Sequence, residues 1–293
     1  LVNHYVADER SLAFMLNCVK LSCMTDIIQL EQQANGVVII TFNRPEAMNA
    51  LNLEAMATFK QTIMGLVRND HMRVLVLTGA GDRAFCSGGD LVELSQYPKE
   101  SDAQRMITTM GDALIVMERL LVPVIGAING YALGGGSEIA LACDMRFADE
   151  NVKMGMVQIN MGLIPGWGAG QRLIQTVGYA QAIELLLRGD VLQAEQLRAL
   201  GLVNHITSAG AALDHALTFA NQIAERPRKV VRAIKTIMQA GRVNEYESAL
   251  RLERELFPSL WADRAHLDAV DAFLQRQANK RKQTPDEQDT GSP

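Results

Sequence analysis

Two glycine clusters in this 293-residue chain carry residue types at spacings that can do chemistry. The first is Ala84-Phe85-Cys86-Ser87-Gly88-Gly89-Asp90-Leu91. The second is Asn129-Gly130-Tyr131-Ala132-Leu133-Gly134-Gly135-Gly136-Ser137-Glu138. Adjacent glycines after a strand let the backbone turn sharply and let a ligand approach the main chain closely. In the second cluster three glycines precede an expected helix, whose free N–H groups and dipole favour negative charge in front of it. Either cluster alone is also what a plain tight turn or helix start looks like; the pair, in this order and context, is more telling. A phosphate cradle fails on detail, because there is no Gly-Lys-Ser/Thr ending and the spacing is not that of the dinucleotide fingerprint.

Among side chains, Glu138 has two readings. One is a carboxylate that moves a proton. The other is a structural carboxylate near its helix, paired for instance with Arg172. Cys86 sits beside the first cluster but has no identifiable base, so small-residue packing is the better reading. His71, His205, His215 and His266 are scattered and read as surface or packing residues.

The elements that must position these residues follow from periodicity. Val37-Val38-Ile39-Ile40-Thr41-Phe42 predicts a strand ended by Asn43-Arg44-Pro45. Asn52 predicts a cap for a helix whose Met56, Phe59, Ile63 and Val67 share a face. Val74–Thr78 and Val124–Ile128 predict buried strands, too uniformly apolar for a wet face. A helix is expected over Ala103–Leu120, another over Gly134–Cys143, and a strand over Met145–Ala148. Beyond Gly168 the pattern is helical almost to the end, with breaks near Gly189, Gly201, Gly210, Arg226-Pro227 and Gly241.

Almost half the residues are apolar and only 5% are aromatic, so aliphatic and Met side chains must do most of the packing. A net charge of −5 argues against nucleic acid as a partner. No apolar run approaches the roughly 18 residues of a membrane span. The four cysteines, Cys18, Cys23, Cys86 and Cys143, show no zinc-type spacing with histidine, and the expectation is a reduced, cytoplasmic protein without a metal. Met24-Thr25-Asp26 reads as a natural start. The expected organisation is therefore an N-terminal extension (1–23), an α/β core (24–200), a helical region (201–279) and a disordered tail (280–293).

From Thr25 to Leu274 the chain resembles the crotonase, or enoyl-CoA hydratase/isomerase, superfamily. The resemblance is carried by Asn43-Arg44-Pro45 with Asn49-Ala50-Leu51, by both glycine clusters, by Ala142-Cys143-Asp144, and by Gly162-Leu163-Ile164-Pro165-Gly166 leading to Gln171-Arg172-Leu173. It implies an α/β spiral of ββα units, a C-terminal helical trimerisation region, and a homo-trimer or hexamer. It also implies an oxyanion hole made by the amides of Gly89 and Gly135, which would hold the oxygen of an acyl-CoA thioester as its α-carbon becomes enolate-like. No cofactor is expected beyond the coenzyme A carried by the substrate. Its tail is expected along Gly89, Asp90, Leu91 and Val92 and near Ala50 and Leu51.

The family's hydratases use two glutamates. The first maps onto Glu138; the second falls on Gln158, whose amide has no useful basicity. Met154, Met156, Met161 and Trp167 flank Gln158 and read either as the acyl pocket wall, with Gln158 and Trp167 meeting the substrate, or as core. The segment Met161–Gly168, with Glu253–Phe257 and Trp261, looks like the alkylmalonyl-CoA decarboxylase branch. Three functions follow: decarboxylation of an alkylmalonyl-CoA, which needs no second carboxylate; hydration or isomerisation of an enoyl-CoA using Glu138; and non-catalytic acyl-CoA binding.

Overall fold

The computed structural model describes residues 27–283. The expected N-terminal extension, with Cys18 and Cys23, lies outside them, as does most of the expected tail. The chain divides into two compact units, one ending at Arg226 and one beginning at Pro227.

The first unit is built on two sheets. The larger has strands β1 (Ile28–Gln32), β2 (Val37–Phe42), β3 (Val74–Gly79), β5 (Val124–Ile128), β7 (Met145–Asp149) and β10 (His205–Thr207) in that spatial order. The smaller orders β4 (Ala84–Cys86), β6 (Tyr131–Leu133), β8 (Lys153–Gly155) and β9 (Leu192–Gln193). Each turn of the chain lays one strand in each sheet: β3 then β4, β5 then β6, β7 then β8. The pairings β2–β3–β5–β7 and β4–β6–β8 are all parallel, which makes the expected spiral. β2, β3 and β5 are buried along almost their whole length, as their uniformly apolar sequences require.

Helix α1 (Leu53–Leu66) starts at Asn52, whose side chain accepts from Ala55 N at 2.9 Å, the expected cap. It presents Met56, Phe59 and Ile63 to the main core. Short α2 (Leu91–Leu94) follows the first glycine cluster, α3 (Glu100–Glu118) leads to β5, and α4 (Gly135–Ala142) follows the second cluster. Two asparagines fasten the loop between β3 and β4. Asn49 donates to Ala80 O and Ala84 O, and Asn129 donates to Gly79 O and Gly81 O. Asn49 does so from a left-handed backbone (φ 55°), which asparagine tolerates better than most residues.

Several elements differ from expectation. The region beyond Gly168 holds helices α5 (Ala169–Val177), α6 (Tyr179–Arg188) and α7 (Ala194–Ala199), with strand β9 before α7 and strand β10 after it. The unit boundary falls after Arg226 rather than residue 200, because α8 (Ala212–Ala224) lays Ala216, Ala220 and Ala224 on the outer face of the larger sheet. In the second unit, Gly241 does not break α9 (Arg228–Val243). One glycine costs a helix only about 1 kcal/mol, and fifteen other residues supply the pattern. Helices α10 (Tyr246–Trp261) and α11 (Arg264–Gln283) follow, so helix continues past 280 to Gln283 where disorder was expected.

Candidate active site

The parallel pairing of β4 with β6 places Ala84 beside Tyr131 and Cys86 beside Ala132, so both glycine clusters leave the small sheet at the same end. They touch there. Gly88 has φ +98°, and a Cβ on it would lie 2.9 Å from Leu133 O and 3.0 Å from Gly135 N. The Gly89 amide, next along the chain, is thereby within about 7 Å of the Gly135 amide. Among the described residues neither N–H has a backbone acceptor. Gly135 opens helix α4, so its amide belongs to the unpaired first turn. The first cluster is pinned by Leu51, whose N–H donates to Gly88 O at 2.8 Å and whose carbonyl accepts from Asp90 N at 2.9 Å. This ladder spends the groups on either side of Gly89 and leaves its own N–H free.

The strip expected to meet the coenzyme A tail has two characters. Ala50 and Leu51 are buried and serve the turn through their backbones, whereas Leu91 and Val92 are exposed. Asp90 caps α2 and pairs with Arg44 at 2.9 Å. Burial works to raise the Asp90 carboxyl, but the Arg44 guanidinium and the Glu93 and Val92 amides outweigh it and hold it below its ordinary value. A cavity of 800 Å³ opens beside this strip, lined by Asn52, Leu53, Asp90, Val92 and Tyr97 among others.

Glu138 is 2% exposed and is surrounded by donors. Its Oε1 accepts from Gln158 Nε2 at 3.0 Å and Gly166 N at 3.2 Å; its Oε2 accepts from Trp167 N at 2.7 Å and Ala169 N at 3.0 Å. A carboxylate offers about four lone-pair sites, and four donors fill them. Burial pushes the Glu138 carboxyl up from its ordinary value, with the Ala169, Trp167 and Gly166 amides and the Gln158 side chain pulling the other way. The four bonds tie the carboxylate to the segment between Gln158 and Ala169. The partner expected for a structural Glu138 is corrected: Arg172 pairs with Glu118, not Glu138.

Gln158 lies where the resemblance put the second glutamate, in contact with the first. Its amide nitrogen faces Glu138, and its Oε1 is buried without a partner. Of the expected pocket-wall residues, Met154 and Trp167 are core and Met161 is exposed. Met156 does line an apolar cavity of 430 Å³, with Leu163, Ile164, Pro165 and Leu186. The Trp167 ring lies against the second cluster: a Cβ on Gly135 would run into its six-membered ring.

These features agree with what comparison finds. The sequence model described as Enoyl-CoA hydratase/isomerase matches residues 32–284. The chain belongs to the enoyl-CoA hydratase/isomerase family. It is 31% identical to the short-chain-enoyl-CoA hydratase of Clostridium acetobutylicum over 84% of this chain and 94% of that protein. It is 33% identical to the ethylmalonyl-CoA decarboxylase of Gallus gallus over 83% of this chain and 82% of that one. The solved enoyl-CoA hydratase of Bacillus anthracis superposes with a TM-score of 0.81 at 30% identity, covering 85% of this chain and 96% of that structure. The crotonase fold and a family chemistry on acyl-CoA thioesters are thereby shown, and the relatives carry both hydratase and decarboxylase names.

Sequence reasoning missed Glu118, Asn49 and Asn129 as organisers of the site. An asparagine at the edge of a turn, where its side chain can replace backbone partners, was the available signal for the last two. Cys86 is buried, and burial pushes its thiol up to about 12, with the Gly88 amide pulling back, which disfavours a nucleophilic thiolate. At pH 8 the thiolate fraction is then about a thousandfold below that of an ordinary cysteine. Native protein treated with iodoacetamide should therefore modify Cys86 at least about a hundredfold more slowly than urea-unfolded protein, as read by peptide mapping. No helix among the described residues is long and apolar enough to cross a membrane.

Proposed function

We propose that this enzyme decarboxylates an alkylmalonyl-type acyl-CoA through a thioester enolate held by the amides of Gly89 and Gly135. The bond from the α-carbon to the carboxylate breaks, carbon dioxide leaves, and the electron pair moves into the thioester as an enolate. The α-carbon then takes up one proton from a solvent water, whose hydroxide is neutralised by bulk solvent. Two backbone donors at the oxygen are worth about 3 kcal/mol each in the transition state. The coenzyme A tail lies along Asp90, Leu91 and Val92 beside the larger cavity, and no further cofactor is needed.

The observation that carries this reading is the contact between Glu138 and Gln158. Hydration needs a base to activate water and an acid to protonate the α-carbon. Gln158 has no basicity, and the lone pairs of Glu138 are already filled by four donors. Decarboxylation asks neither residue to accept a proton. We read Glu138 as the fastener of the Gly166–Ala169 turn. The second reading, an enoyl-CoA hydratase or isomerase with Glu138 as acid, is favoured by one observation, the burial that raises that carboxyl.

Assembly as a trimer or hexamer belongs to the same proposal, supported by the exposed Phe257, Trp261 and Phe273 of the second unit. A cytoplasmic setting does too, supported by Cys86 and Cys143, which are buried as thiols and not joined in a disulfide.

The test is turnover of crotonyl-, 3-enoyl-, methylmalonyl- and ethylmalonyl-CoA by purified protein. The expected result is carbon dioxide release from an alkylmalonyl thioester, with little hydration. Rapid hydration of crotonyl-CoA, with both alkylmalonyl thioesters ignored, would overturn the reading.

A further inference from the structure

Trp167 is gripped by charged groups on both sides of its main chain. Its N–H donates to Glu138, and its carbonyl accepts from Arg172 Nη1 at 2.6 Å. Arg172, on the first turn of α5, is 5% exposed. Its Nε and Nη2 donate to the two oxygens of Glu118 at 2.9 and 2.8 Å. Glu118 ends α3, and is 54 residues from Arg172 in sequence. With its N–H and its carbonyl both held, Trp167 has little freedom in its backbone angles, and these set where the indole points. The indole rests on Gly135.

We propose that Glu118 and Arg172 are positioning residues for the oxyanion amide: their bidentate pair fixes the Trp167 carbonyl so that the indole roofs Gly135 and keeps water from its N–H. Only a planar guanidinium can hold both oxygens of one carboxylate and still reach a carbonyl with a third nitrogen, which is why arginine is required. A donor in a dry site stabilises developing charge far more than one shared with water, and a misplacement of about 1 Å can cost about a hundredfold in rate. The inference rests on the reading of Gly135 as an oxyanion donor.

The chain has two tryptophans, so Trp261→Phe leaves Trp167 as the sole emitter. In that background Glu118→Gln and Arg172→Lys should shift Trp167 emission to the red and make it several-fold more open to acrylamide. With the thioester the wild type turns over best, kcat should fall about thirtyfold while KM, set by the distant coenzyme A tail, changes little. Glu118→Asp, which keeps the charge, should recover part of kcat. Trp167→Phe leaves every polar contact in place and should lower kcat by itself. Glu118→Gln and Arg172→Lys proteins with lower melting temperatures but unchanged emission and unchanged kcat per folded enzyme would overturn the proposal, as would full kcat in Trp167→Phe. A red shift with unchanged kcat would uphold the grip on Trp167 and instead overturn Gly135 as the donor.

Discussion

Glu138→Gln is expected to lower the unfolding free energy by about 3 kcal/mol or more, beyond any effect on turnover. The replacement has the same shape but only one acceptor oxygen. Of the four donors now aimed at the carboxylate, the two on one oxygen would face an NH2 group instead. A buried donor left without an acceptor costs about 1–3 kcal/mol, and bonds to a charged acceptor are worth more than neutral ones. Were Glu138 only a proton donor, the substitution would remove activity and leave stability within about 1 kcal/mol of wild type. Urea unfolding separates the two.

The pH dependence gives an independent reading of the same residue. Burial holds the Glu138 carboxyl above its ordinary value, so the folded protein binds that proton more tightly than the unfolded chain. The contribution of this group to stability therefore falls as pH rises from the unfolded value, about 4.3, to the raised one, and is level above it. Glu138→Gln should lose that segment of slope.

What could be read from sequence and what could not divide along the range of the interactions. The strands Val37–Phe42, Val74–Gly79 and Val124–Ile128 are apolar runs five or six residues long, and their burial dictates their composition. The strands of the small sheet have only two or three residues each, too few for a period, and Tyr131–Leu133 is framed by glycines that look like loop. Their parallel pairing is nonetheless what joins the two glycine clusters. The glycines themselves were legible because close approach excludes a side chain locally. The set of donors around Glu138 was not, because all four come from 20 to 31 residues further along. Nothing near Glu118 announces that it will meet Arg172. Gln158 is legible only through its distance from the Gly162–Gly166 stretch, since glutamine in a short 3-10 turn carries no pattern of its own.

Gln158→Glu is expected to cut decarboxylation at least tenfold and to raise crotonyl-CoA hydration above the wild-type level. Gln158 Nε2 lies 3.0 Å from Glu138 Oε1, so the new carboxylate would face the old one at hydrogen-bond distance. Two unit charges that close repel by about 5 kcal/mol at an effective dielectric near 20. The pair will therefore hold one proton between its members and titrate as a unit. Glu138, fixed by three backbone amides, keeps most of the charge, and residue 158 becomes a weak acid beside it. That gives the site the proton donor and acceptor that hydration needs. It also removes the amide donor from Glu138 and, above the apparent pKa of the pair, adds a negative charge that repels a substrate carboxylate. Decarboxylation by the variant should consequently fall further as pH rises, while hydration appears over the range in which the pair is singly protonated. A variant that decarboxylates at the wild-type rate at every pH would mean that the substrate carboxylate never comes near residue 158, and that carbon dioxide leaves from the other side of the enolate plane.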